Sequence, residues 1–132
     1  MKIQVVVLTW LLGLTPSAAS DSIASSYVEA QDLGRRDEKD PFTADYHAKV
    51  LLPQFGTRYR AHLRECQSAL PQPDQTPFSF VAALGADGRV LHLWSDRSPP
   101  LYSCVRGRLL FDQFPAPPRV PFYLYIHQRF AG

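Results

Sequence analysis

FVAALGADGRVLHLW, residues 80–94, is two apolar runs joined by Gly-Ala-Asp-Gly, and its reading decides the fold. Phe78, Phe80, Ala82 and Leu84 alternate on one face of a first strand. After the turn, Val90, His92 and Trp94 alternate against Leu91 and Leu93 on a second. Asp87 tolerates positive φ and Gly88 has no steric objection to it, as a tight antiparallel hairpin requires.

The segments on either side change period. Over residues 54–70, QFGTRYRAHLRECQSAL, the residues Phe55, Tyr59, Leu63, Cys66 and Leu70 recur at helical spacing, and the arginines fall mostly elsewhere around the barrel. PQPDQTP then stops the helix, because proline lacks the amide hydrogen and clashes with the preceding turn. Beyond the hairpin, Ser98 is placed to cap a second helix. Pro99 and Pro100 suit its opening positions, and Leu101, Cys104, Val105 and Leu109 share one face. Gly107 weakens this helix by roughly 1 kcal/mol against alanine, and PAPP ends it. The closing RVPFYLYIHQRF alternates as a third strand. Val120, Phe122, Leu124 and Ile126 lie on one side, Tyr123, Tyr125 and His127 on the other, and Pro121 marks an edge strand or its first residues.

These elements predict an α+β fold in the order α-β-β-α-β. It is a two-layer sandwich with a three-stranded antiparallel sheet and two helices on one face, the other face partly wet. The 132 residues suffice for one such domain. Residues 46–132 form it, with the folded part starting between Phe42 and Phe55. Residues 21–45 have seven acids against three bases, and residues 46–132 ten bases against five acids. The first of these segments lacks sustained apolar periodicity and is expected to be a flexible acidic leader, with at most a short helix around YVEAQDL. The basic residues of the domain are dispersed and not interleaved with aromatics, so the charge pattern is that of a solvated surface and gives no nucleic-acid site.

The N-terminus sets the compartment. Residues 1–20 open with one lysine, an apolar run ending near Leu14, and small residues in which Ala18 and Ser20 fit the cleavage positions of a signal peptide. The run is shorter than the roughly 20 residues of a bilayer span, so cleavage before Asp21 is favoured over a retained anchor, and no stable membrane span is expected afterwards. A periplasmic or secreted location lets Cys66 and Cys104 form a structural disulfide. In the loop-entropy model such a bridge is worth roughly 4 kcal/mol. Both cysteines sit on the apolar faces of the two predicted helices, so the bridge would staple one to the other. There is no CxxC redox motif.

Residues 55–130 carry a strand, an ADGRV turn, a second strand, a polar break, a helix, FPAPP and a last alternating strand. This ordered set resembles the C-terminal domains of TonB-type and TolA-type periplasmic proteins. The resemblance implies a cofactor-free, non-catalytic interaction module that binds a protein partner in the periplasm by adding a strand at an exposed sheet edge. Carried onto this chain, the edge is VPFYLYIH, with Tyr123, Tyr125 and His127 available. Trp94 joins these tyrosines as a partner-binding candidate if they share an aromatic sheet face. The chain departs from energy-transducing members in its short leader, its cleaved segment and its cysteine pair, so the resemblance is to a free-standing exported relative.

Other chemistry is sparsely signalled. His47, His62, His92 and His127 lack metal-ligand spacing. Ser79, His92 and Asp96 can be sketched as a triad, but no nucleophile elbow or oxyanion loop accompanies them. The alternative reading is a small exported enzyme or ligand-binding protein with a pocket between sheet and helices. Pairing of two copies through the same edge is a third.

Overall fold

A computed structural model describes residues 22–131. The signal segment expected over residues 1–20 lies outside them. Three helices and three strands run in the order α1 (Tyr27–Lys39), a π-helical turn (Tyr46–Leu51), α2 (Leu52–Ala69), β1 (Phe78–Leu84), β2 (Val90–Ser95), α3 (Pro100–Leu109) and β3 (Phe122–Gln128). The sheet is antiparallel with β1 in the centre, in the order β2-β1-β3. From α2 onward this is the predicted α-β-β-α-β fold, with β3 at an edge.

One sheet face is packed by bulk. Phe78, Phe80, Ala82 and Leu84 of β1 meet Phe122 and Leu124 of β3, Phe55, Tyr59 and Cys66 of α2, and Leu101, Tyr102, Val105 and Leu109 of α3. The Phe80 ring lies 5.7 Å from both Tyr59 and Tyr102 and 6.3 Å from Phe55, in tilted arrangements that aromatic quadrupoles favour. Cys66 and Cys104 are bonded, with Cα atoms 5.8 Å apart, and the bridge joins α2 to α3 as predicted. Such a bond is compatible with an oxidising extracellular compartment.

The hairpin turn explains its own sequence. Gly88 has φ of 84°, and a Cβ there would stand 1.8 Å from the Phe114 carbonyl oxygen, so only glycine fits. The register slips by one between Ala83 and Leu84: Ala83 faces His92, whereas Leu84 faces Val90. This bulge corrects the predicted alternation, because it turns Val90 to the same buried face as Leu93 and leaves Leu91 half exposed. The start of α3 differs too. Its N-cap is Pro99, and the Leu101 amide donates to Asp74 Oδ2 at 2.9 Å, so the cap is a carboxylate from the α2–β1 loop and not Ser98. That bond, ahead of the Thr76 amide, holds Asp74 below the usual carboxylate range.

The expected flexible leader is instead a helix. Ser26 caps α1 by accepting the Glu29 amide at 3.1 Å, and the Glu29 carboxylate returns to the Ser25 amide at 2.8 Å. Order begins well before Phe42, since Ala24 is already buried. The helix lies on the second sheet face with Ala30 in a cluster with Val81, Ala83 and Tyr123, so the face expected to be partly wet is covered and the molecule gains a third layer. Every residue of β1 is buried as a result.

Candidate functional site

The candidate residues lie on the sheet face that α1 covers, and at its two edges. Trp94 of β2, Val81 of β1 and Tyr125 of β3 stand side by side by register, as do His92, Ala83 and Tyr123. The structure therefore brings Trp94, Tyr123 and Tyr125 together on one face, with the Trp94 and Tyr123 rings 6.0 Å apart. It does not leave that face open. Tyr123 is only 3 % exposed, and its hydroxyl accepts the Ala24 amide at 3.0 Å. Tyr125 is half-buried beneath α1, where a Cβ on Gly34 would approach the Tyr125 Cβ to 2.9 Å. The helix can sit this low only because residue 34 has no side chain. Burial raises the Tyr125 phenol, but Ser79, Gln31 and the Arg35 guanidinium, 5.1 Å from the ring centroid, outweigh it and leave the group lowered.

His127 is exposed and its Nδ1 shares a hydrogen bond with Ser79 Oγ, itself almost fully buried. Asp96 bonds the backbone of Ser79 from both sides. Its Oδ1 accepts the Ser79 amide at 2.8 Å, and its own amide donates to the Ser79 carbonyl at 3.1 Å. The His92 ring lies tilted against Trp94, with centroids 4.4 Å apart. The sketched Ser79, His92 and Asp96 triad is thus not assembled: the serine meets a different histidine, and the aspartate serves the backbone.

Three carboxylates that carry no motif in the sequence do the tying. Asp37, fully buried on α1, accepts Arg36 Nε and Arg119 at Oδ1, both at 2.9 Å, and the Tyr123 amide at Oδ2, also at 2.9 Å. Arg119 reaches on to Asp40 at 2.6 Å, which holds the Asp40 carboxyl below its usual range. Asp112, just past α3, takes His62 Nε2 at 2.8 Å and Arg58 at 3.1 Å from α2. Asp74 caps α3, as above. Each is an acid distant in sequence from the partners that matter, so spacing alone carries no signal for it.

Among the described residues no group of three or more His, Cys, Asp or Glu side chains is arranged to hold a metal, and no helix is long and apolar enough to cross a membrane. The space between the sheet and α2 and α3 is filled by rings. Open clefts lie elsewhere: about 540 Å³ along the outer side of α1 beside Arg36 and Lys39, about 350 Å³ at the proline-rich loop before β1, and about 270 Å³ between α1 and the start of β3.

The edges differ. On β2, the bond from the Asp96 amide to Ser79 sets the alternation, so His92 and Trp94 bond to β1 while the backbones of Leu93 and Ser95 point outward. A single bridge from Arg89 to Gln113 closes the near end of that edge. On β3, Tyr123 points its amide outward, and Asp37 takes it. No family model, no curated protein and no solved structure matches this chain.

Proposed function

We propose that this chain is a non-catalytic, exported interaction module of the TonB/TolA C-terminal kind, acting in the periplasm or outside the cell and binding an extended segment of a protein partner by strand pairing. The α-β-β-α-β order supports that kinship, and α1 on the second face is a departure from it. The disulfide supports export.

The observation that carries the reading is the character of β2. Natural edge strands are blunted by charge, proline or cover. VLHLWS has no charged residue and no proline, exposes Leu91 by 50 %, and holds Trp94 and His92 half-buried beside it. Its outward Leu93 and Ser95 groups would supply the main-chain hydrogen bonds, and Leu91 and Trp94 the side-chain selectivity. The pairing edge is therefore assigned to β2 ahead of β3, with Trp94 retained from the expected partner-binding set.

The test is amide hydrogen exchange on the partner complex, captured by the mature domain from the exported proteins of its source. Protection confined to Leu93 and Ser95, with capture abolished by Leu91→Lys, is the expected result. Protection at an α2 or α3 surface, with Leu91→Lys binding normally, would remove β2 from the account. The second reading, a pocket protein, has among the described residues only an open cleft of about 270 Å³ between α1 and the start of β3, and the space under α2 and α3 is filled by rings.

A further inference from the structure

The β3 edge carries an inference of its own. Its outward backbone groups belong to Tyr123, Tyr125 and His127, since Phe122, Leu124 and Ile126 send their side chains into the main core and alternate with them. A neighbouring strand would place a carbonyl oxygen against the Tyr123 amide. In this fold a side-chain oxygen stands there, Asp37 Oδ2 at 2.9 Å. The helix bearing that carboxylate also covers the rings of Tyr123 and Tyr125. The Tyr123 end of the edge and the aromatic face are thus covered by a segment of the same chain.

The attachment of that segment is narrow. Of thirteen helical residues, α1 fully buries Ala30, Gly34 and Asp37, two of them nearly without side chains, and adds only the partly buried Tyr27 and Leu33 as large apolar contacts. It is fixed by polar pins: Arg119 to Asp37 and Asp40, the Tyr123 amide to Asp37, and the Ala24 amide to the Tyr123 hydroxyl. None of the large rings of the main core lies beneath it, and the disulfide joins two other helices. Elements with little buried apolar surface open at lower cost than the core of the same domain.

We infer that α1 is a strap: it lifts from the sheet as a unit while the disulfide-stapled body stays folded, and in doing so uncovers β3 as a second pairing edge. The consequence for binding rests on the edge-pairing function above. The lifting itself does not, and a partner that takes the open form draws the equilibrium toward it.

Native-state hydrogen exchange of the free mature chain tests the lifting without any partner. The α1 amides and the Tyr123 amide should exchange together, at least about tenfold faster than those of Val81 and Ala82 in β1, and with a weaker denaturant dependence. Equal rates and equal dependence would show one cooperative unit and overturn the strap. Gly34→Leu, which drives a side chain into Tyr125, supplies a second measurement. It should raise the exchange of the Tyr123 group by a further factor of about ten or more while the β1 amides hold. Collapse of the whole domain in this variant would overturn the proposal equally.

Discussion

The two faces of one sheet are held by opposite means. Toward α2 and α3 the sheet presents phenylalanine and leucine, and the layer is closed by interlocking rings and a disulfide. Toward α1 it presents Val81, Ala83 and tyrosines, and closes through a glycine, an alanine and a buried carboxylate. Dispersion and burial scale with area, so the first face gives stability. A charge-assisted network is directional and fails when one member is lost, so the second face gives position. A domain can thus carry a firm layer and a releasable layer on the same three strands.

The largest effect that would separate the faces is at Phe80. Phe80→Ala should cost about 3–5 kcal/mol in a urea titration, because the surrounding rings cannot collapse into the void. A cost below about 1 kcal/mol would mean that the ring layer does not dominate. Next, replacing both cysteines by alanine should lower stability by up to about 4 kcal/mol with the fold retained at low temperature. Thiol titration of the unfolded, unreduced chain checks the premise, since two free thiols would remove it.

Asp37→Ala should act locally. It takes one acceptor from Arg119 and the acceptor of the Tyr123 amide, so far-UV circular dichroism should lose the signal of one helix while the free energy of the main transition changes by less than about 1 kcal/mol. A full-sized shift of the main transition would mean that the faces are not separable.

Titration gives a handle at each end of the pH range. Burial pushes the Tyr46 phenol, on the ring side, up to about 12, and Tyr59 is raised in the same direction. A raised folded value gives stability that is complete below the unfolded value near 10 and is lost as pH climbs toward 12. Asp40 on the strap side is lowered by its bond to Arg119, so its contribution is present above the unfolded carboxylate value and fades as pH falls through the lower folded one. Alkali should therefore loosen the core, and the α1 face with it because burial raises Tyr27 and Tyr123 too, while acid should weaken both the α1 seat at Asp40 and the α3 cap at Asp74, followed in near-UV and far-UV signals. The smallest effect expected is a gain. The Tyr102 hydroxyl is buried with no hydrogen-bond partner among the described residues, so Tyr102→Phe should add about 1 kcal/mol.

Bulk makes the first face readable. Phe55, Tyr59 and Cys66 at helical spacing, and Phe78, Phe80, Phe122 and Leu124 at strand spacing, announce α2, β1 and β3 through periodicity alone. The second face is built from Ala30, Gly34 and Asp37, which read as solvent-facing in any hydrophobic pattern although their spacing is that of a buried stripe. Its visible signs are the Ser25-Ser26 and Glu29 cap and the proline after Asp40, both ordinary helix punctuation. The candidate site suffers from the same cause. Strand alternation puts Tyr123 and Tyr125 correctly on the second face, but without α1 that face looks open. The bulge that turns Val90 and exposes Leu91 is beyond the reach of pattern, since one extra residue in a strand leaves no mark in composition.

The pin between Ala24 and Tyr123 spans 99 positions, and that between Asp37 and Tyr123 spans 86. The helix synthesised early therefore has its seat in the strand synthesised late. Loops of that length close slowly, and a segment cannot dock on what has not yet emerged. The β1 part of the seat, Val81 and Ala83, is made earlier, but the pins at Arg119 and Tyr123 can form only once the chain extends through β3. A chain cut short before Arg119 would keep α1 in its sequence and lack every group of Arg119 and Tyr123 that pins it.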